Sequence, residues 1–355
     1  KLYTTQNDIF FYEQCEAQDS IQIGSTTSSS HRMEISNSIL NNIISDASND
    51  NWLKIKSKLG QIVVTSLHQN NLLSHATSMQ IELTTESVKN ITFETSDTTV
   101  HTLTMKSGGG VILPVNLETT VGHMQLTYSN SDFVISANQN LISANEMTLS
   151  GQHINAQGSN MFQSVADMVI NTPYSGYETI LRTNGSLTLN ADLDSAISLN
   201  IEVDRDCVGN EGIVIASTSA VVSPDIEIYG GSVNILGTIN VGDGSLLFEE
   251  RCSVDGSMGL GGSALGQVMG IDQSELGKIT ASFHANKDIH FRSRYGDIDV
   301  YSISQEDHMS DAHDATLKIS AFSNKNITFN SGSSTFHTLD LYSSGGIYLP
   351  YNLTT

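Results

Sequence analysis

Basic side chains, aromatics and proline are all scarce in this sequence. Sixteen Lys and Arg stand against 38 Asp and Glu, a formal net charge of -22. That balance excludes a nucleic-acid-binding or anionic-membrane surface, because either needs a Lys/Arg footprint. No stretch approaches the roughly 18 consecutive apolar residues of a membrane-spanning helix, so no membrane span is expected. Aromatics are 6% of the chain, with a single Trp, too thin a supply for several separate small cores. Four Pro in 355 residues suit an extensively hydrogen-bonded sheet, since each Pro removes a ladder donor. Charged residues are only 15% of the total, and with glycine added to the hydrophobic set about 46% is apolar, the range of a folded protein. There is no phosphate-cradling P-loop, dinucleotide fingerprint or CxxC. The chain opens on Lys1 without a charged-then-apolar leader. Any targeting segment is therefore expected to have been removed or to lie outside this stretch.

What is present is a long internal repeat. Residues 49–119 laid on 285–355 match without gaps at an offset of 326 − 90 = 236, with 26 identities in 71 positions. Asn90, His101, Gly109, Pro114 and Asn116 fall on Asn326, His337, Gly345, Pro350 and Asn352. FYEQC ending at Cys15 matches FEERC ending at Cys252 with one residue inserted. Residues 1–119 are thus a partial copy of a 236-residue tandem repeat, 120–237 the remainder of that repeat, and 238–355 the start of the next copy. The pattern reads as a window on a longer array, with one old duplication as the alternative.

Inside each copy the apolar runs are short and β-branched: IEIYG (226–230), VNILG (233–237), INVG (239–242) and LLFEE (246–250). Their starts recur roughly every seven residues between Gly, Ser, Asn and Asp, the spacing of a coil that turns a corner every six to eight residues. Alternate residues such as Leu187, Leu189, Ile327 and Phe329 would then stack inward, rung on rung. Asn at the corners tolerates left-handed backbone and can form ladders along the stack. The expected fold is all-β, a parallel β-solenoid (β-helix) with short helical interruptions; the alternative is a set of tandem β-sandwich domains. Helical turns are expected at 36–48, where Ile39, Leu40, Ile43 and Ile44 share a helical face after a Ser, and at 161–170. At about 20 residues per rung and about 4.8 Å rise, one 236-residue unit would be about 55–60 Å long.

Runs such as NGSLTLNA (184–191) and NKNITFN (324–330) resemble the rungs of filamentous-haemagglutinin-type parallel β-helix exoproteins. The resemblance implies an elongated extracellular molecule and carries over no functional residue. The 236-residue repeat, the cysteines and the helical interruptions depart from that family.

Three cysteines are explained by the repeat. If each unit has equivalents of Cys207 and Cys252, these two form a disulfide and the partner of Cys15 falls before Lys1; buried free thiols are the alternative. Oxidised cysteines would place the chain outside the cytosol. The N-x-S/T sequons are Asn90, Asn184, Asn326 and Asn352, the expected glycosylation sites in a eukaryotic secretory pathway. Glu306, Asp307, His308, Asp311, His313 and Asp314 form a mixed O/N set that could hold a divalent ion. The other copy reads QNNLLSHATS there, so a solvated acidic loop is expected instead. Asp192, Asp194, Asp204 and Asp206 match no calcium-loop pattern. Asp297 and Asp299 beside Arg292 and Arg294 hint at a polysaccharide-active site, but the other copy has Gln61 and Val63 in place of the aspartates, which favours surface ion pairs. His101 and His337 read as turn histidines. No catalytic, cofactor or metal set is expected, and the chain is read as not an enzyme.

The leading expectation is a structural shaft or stalk segment of an extracellular filament, appendage or surface layer. Its partners would be neighbouring copies of the same protein, and N-linked glycans would add to its polar surface. A surface adhesin for glycans or cells is the alternative, with diversity at Tyr342, Tyr348 and Tyr351 where the other copy has Lys106, Ile112 and Val115. A polysaccharide-active β-helix enzyme ranks below both.

Overall fold

A computed structural model describes residues 2–4, 8–13, 20–24, 33–45, 51–68, 79–94, 96–208, 211–252, 257–262, 268–281 and 288–355. The chain divides into two compact units, Lys1–Gly176 and Tyr177–Thr355. The partial copy 1–119 lies in the first and the copy 238–355 in the second. Cys15 lies outside the described residues. Among the described residues no helix is long and apolar enough to cross a membrane.

The first unit is a coil of short strands with three strands to a turn. Leu103–Ser107, Val111–Leu113 and Leu117–Thr119 make one rung. The next begins at Met124–Tyr128, which lies parallel on Leu103–Ser107 with Leu103 on Met124. Ile81, Leu103, Met124, Met147 and Met168 stack one on the next, an advance of about 22 residues for each rung, within the range of a short structural repeat. All five are fully buried. The strands alternate inward and outward side chains as a pleat requires, Trp52–Ser57 and Gln80–Thr85 both reading half-buried then buried in turn. Each inward Leu, Ile or Met thus contributes on the order of 1.5–3 kcal/mol of burial, capped from above and below by its neighbours. The paired strands among the described residues are parallel, which replaces the β-sandwich alternative, a fold built from antiparallel pairs.

Corners are closed by side-chain hydrogen bonds that recur from rung to rung. Asp97 accepts from the backbone and amide N–H groups of Asn116 (both 3.0 Å), and Asn116 Oδ1 accepts the backbone N–H of Asn140 (2.8 Å). At another corner Ser57 Oγ donates to buried Glu13 (2.8 Å) and accepts the N–H of Gly60 (3.0 Å). The second unit repeats this device: Ser293 Oγ donates to buried Glu250 (3.0 Å) and accepts from Gly296 (2.9 Å).

The tandem repeat survives in three dimensions as a matching register. In the first unit Ile9 pairs with Leu53, Leu53 with Ile81 and Ile81 with Leu103. In the second, Leu246 pairs with Ile289, Ile289 with Leu317 and Leu317 with Leu339. The last two steps have the same chain length in both units. The first step is longer in both, and differs between them only by the single insertion near the cysteines. Despite the longer chain in that step, the two strands it joins pair directly and in unbroken register in both units. Even the one-turn helix recurs, with Asn37–Leu40 and Gln273–Leu276 at the same position of the two copies. Each starts at a capping side chain: Ser36 Oγ accepts the Ile39 N–H (3.4 Å), and Asp272 with Glu275 forms a reciprocal box (2.9 and 2.8 Å).

Two sequence expectations for helix need correction. Over 36–45, the described part of that stretch, Asn37–Leu40 is helical and Ile43–Ser45 is a strand; Leu40 and Ile43 are buried while Ile39 is exposed. Residues 161–170 are not helical at all. Met161–Ser164 pairs with Asn140–Ser143, and Met168–Ile170 with Met147–Leu149. The apolar spacing that suggested a helix is two strand segments on either side of a corner, with Val165 exposed at the turn. Parallel pairing to an existing rung wins over a weak local helical pattern.

Candidate functional site

In the second unit six outward-facing residues fall into one column across consecutive strands. The register sets Glu202 beside Tyr229, Tyr229 beside Glu249, Glu249 beside Arg292, Arg292 beside Ser320 and Ser320 beside Tyr342. Glu249 is the pivot. It is 1% exposed and one carboxylate serves three guanidinium groups: Arg251 at 2.8 Å, Arg292, and Arg294 at 3.7 Å. A buried carboxylate is tolerable only when paired, so the arginines hold Glu249 in place and leave a local excess of positive charge. Arg292 Nε has no hydrogen-bond partner among the described residues. The Arg251 guanidinium lies 3.4 Å from the Tyr229 ring centroid, a cation–π stack. Burial pushes the Tyr229 hydroxyl up to about 12, helped by its 2.6 Å donation to Glu227.

Beside Arg292 and Arg294 runs an open groove of about 370 Å³ lined also by Tyr295, Phe322 and Ser323. Tyr342 packs beside Phe322 with centroids 5.3 Å apart and planes tilted by 42°. In the other copy the equivalent positions hold Lys56, Lys58, Leu59, Glu86, Ser87 and Lys106. Two of these lysines are spent on ion pairs, Lys56 with Glu86 (2.5 Å) and Lys106 with Glu82 (3.3 Å). The second copy has replaced an alternating-charge ladder by arginine and aromatic rings.

A second recess, about 240 Å³, is framed by the disulfide. Cys207 and Cys252 are bonded, with Cα atoms 4.8 Å apart. Asp204 lies beside them, 1% exposed, with a left-handed backbone (φ 51°) and an Oδ1 that has no partner among the described residues. Burial, then the carboxylates of Glu211 and Asp206, push its pKa up to about 6. A folded-state value above the ordinary one means the neutral acid is favoured by the fold. Its stability contribution is complete below about pH 4 and is lost as pH rises through about 6. Asp204→Asn, which keeps a residue tolerant of positive φ, is therefore expected to raise stability by about 2 kcal/mol at pH 7 and to change little at pH 4. Urea unfolding at the two pH values checks this, and an equal effect at both would reject it.

The remaining sequence candidates are scattered. Asn90 Oδ1 accepts the Gly110 N–H (2.9 Å), and a Cβ on Gly109 would lie 2.6 Å from it, as one on Gly345 would lie 2.7 Å from Asn326 Oδ1. Both asparagines are half-buried corner residues. Their recurrence thus has a structural cause that is separate from glycosylation. Asn184 is half-buried and Asn352 exposed. Asp307, His308 and His313 are engaged in local turns. Asp307 Oδ2 accepts from Ser304 Oγ (2.7 Å), His308 Nδ1 accepts the Ser304 N–H (3.1 Å), and His313 Nδ1 donates to the Ser310 carbonyl (2.7 Å). Glu306 and His313 line a groove of about 530 Å³ with His337, whose backbone N–H donates to Gln305 (2.9 Å). His101 meets Thr102 at 3.2 Å. Asp192 Oδ1 accepts the Ala220 N–H (2.8 Å) across a corner. Among the described residues no three His, Cys, Asp or Glu side chains are grouped to hold a metal.

One pairing is corrected. Arg292 and Arg294 turn to Glu249, while Asp297 accepts from the Asn326 N–H (2.7 Å) and Asp299 from the Asn330 amide (2.6 Å). Side chains alternate across a strand, so neighbours in sequence lie on opposite sides of a corner and the true partner is one rung away. The sequence singles out Arg292, Arg294 and Tyr342 but not Glu249, Tyr295 or Phe322, for which the signal present was the Leu59-to-Tyr295 and Glu86-to-Phe322 changes between copies. No protein-family model, curated protein or solved structure matches this chain.

Proposed function

We propose that this chain is a non-catalytic structural segment, a shaft or stalk module of an extracellular filament, appendage or surface layer. The observation that carries the reading is the reuse of one register in two copies, with the same length of chain between the same stacked strands from Leu53 to Leu103 and from Ile289 to Leu339. A coil in which each rung is stabilised by the rung before it extends by repetition, with no new interface chemistry for each added unit. The disulfide supports an oxidising compartment, and hence an extracellular or cell-surface location. Neighbouring copies of the protein are the proposed partners, with glycans on exposed sequons such as Asn352.

Electron microscopy and fibre diffraction of the native material, kept non-reducing, test this. The expected result is fibres with an axial strand spacing of about 4.8 Å and a longer period near about 55–60 Å or a multiple. Compact particles that do not assemble would overturn the proposal.

A further inference from the structure

We propose that the groove between Arg292, Arg294, Tyr295 and Phe322 binds acidic saccharides, sugar rings bearing a carboxylate or a sulfate. The inference does not depend on the shaft reading. It rests on three features of one surface in the second unit. The first is charge: in a chain of net charge -22, three guanidinium groups share the single buried carboxylate of Glu249, so the patch is locally cationic and suited to an anion. Arg294 is the reachable member, its side chain 54% exposed, and the Arg292 side chain, 29% exposed, also lines the groove. The second is shape and apolar surface: Tyr295, Phe322 and Tyr342 are all exposed, and the tilted Phe322–Tyr342 pair offers ring faces for the C–H face of a pyranose. The third is contrast within the molecule. The same surface in the other copy carries lysines already committed to Glu82 and Glu86 and has Leu59, Glu86 and Lys106 in place of Tyr295 and Phe322 in the groove and Tyr342 beside it. A face that served only to keep the coil hydrated would have no use for exposed rings in place of a charge ladder.

The geometry divides the work. The aromatic wall takes the sugar face, and Arg294 with Arg292 takes the carboxylate or sulfate in a charge-assisted contact. Neutral sugars keep the first contact and lose the second.

Calorimetric titration of the whole chain with oligogalacturonate, a sulfated chondroitin oligosaccharide and a neutral cello-oligosaccharide tests the site. Binding of at least one acidic probe, weakened by added salt, with little or none of the neutral one, is expected; which acidic probe binds distinguishes carboxylate from sulfate. Arg294→Ala and Phe322→Ala should each weaken binding about ten- to hundredfold. Tyr342→Lys, which installs the other copy's residue, should weaken it in the same direction. Lys58→Ala, at the position in the first unit equivalent to Arg294, should change nothing. Thermal unfolding of each variant separates lost binding from lost fold, since all the altered side chains are exposed. No binding by either acidic probe, equal binding of the neutral probe, or acidic binding that survives both Arg294→Ala and Phe322→Ala would overturn the proposal.

Discussion

Reducing the Cys207–Cys252 bond is expected to lower the unfolding free energy of the second unit by about 4 kcal/mol. The bond joins residues 45 apart. Closing a loop of that length removes roughly 13 cal/mol/K of chain entropy from the unfolded state. The loop it closes contains the strands Gly212–Ile215, Asp225–Gly230, Ser232–Ile235 and Leu246–Glu250, so the cross-link spans several rungs. Urea unfolding with and without reductant measures the effect, and the Cys207→Ala, Cys252→Ala double variant repeats it without changing the solvent. A midpoint that does not move on reduction would show that stacking alone fixes these rungs. Hydrogen exchange adds a local readout: amides of Tyr229 and Gly230, beside the bond, should lose protection before those of Ile319, farther along the stack.

The second large effect is expected in the interior. Phe248 and Phe291 are directly paired across neighbouring strands, stack with centroids 5.6 Å apart and planes 6° apart, and are both fully buried. Phe248→Ala removes a ring that rests on Phe291 on one side and Ile228 on the other, leaving a cavity between rungs that cannot collapse without moving two paired strands. The expected cost is about 3–5 kcal/mol. Phe248→Leu, which keeps most of the volume, should cost below about 1.5 kcal/mol, and Tyr348→Ala, at an exposed outward position, should stay within about 0.5 kcal/mol. The repeat supplies an internal comparison. Phe11 occupies the equivalent place against Ile55 but is only half-buried, so Phe11→Ala should cost less than Phe248→Ala. Equal losses at the two phenylalanines would contradict the burial argument.

The parts legible from the sequence are those written in local pattern. Leu187, Leu189, Ile327 and Phe329 read as inward residues and all are buried, because a two-residue alternation needs no knowledge of the neighbour. Short β-branched runs between Gly, Ser and Asn corners announce a coil for the same reason. The helical turn at Asn37 is legible from its Ser cap; its extent is not, since Ile43–Ser45 takes strand geometry with a helical-looking sequence. Residues 161–170 mislead more fully. Met161, Val165 and Met168 repeat at helical spacing, yet each flanking segment has a preformed strand to pair with, and a parallel ladder offers more hydrogen bonds than one isolated turn.

The candidate site shows the opposite case. Tyr229, Glu249, Arg292 and Tyr342 are unevenly spaced along the chain, and no fixed period links them. They share a column because turns of different length between the stacked strands all return the chain to one register. Arg292 and Arg294 look committed to Asp297 and Asp299, their neighbours in sequence, and go instead to a glutamate one rung away.

By itself, then, the sequence determined the class of fold, the 236-residue repeat and which face of each strand turns inward, because all three follow from alternation and self-similarity visible along the chain. The tertiary structure decided which outward residues meet: Glu249 with three arginines, Asp204 with the disulfide, Phe322 with Tyr342. The physical reason is register. In a parallel coil a side chain's neighbour is set by the length of the turn between rungs, and loops of different length can hold the same register at small cost in chain entropy.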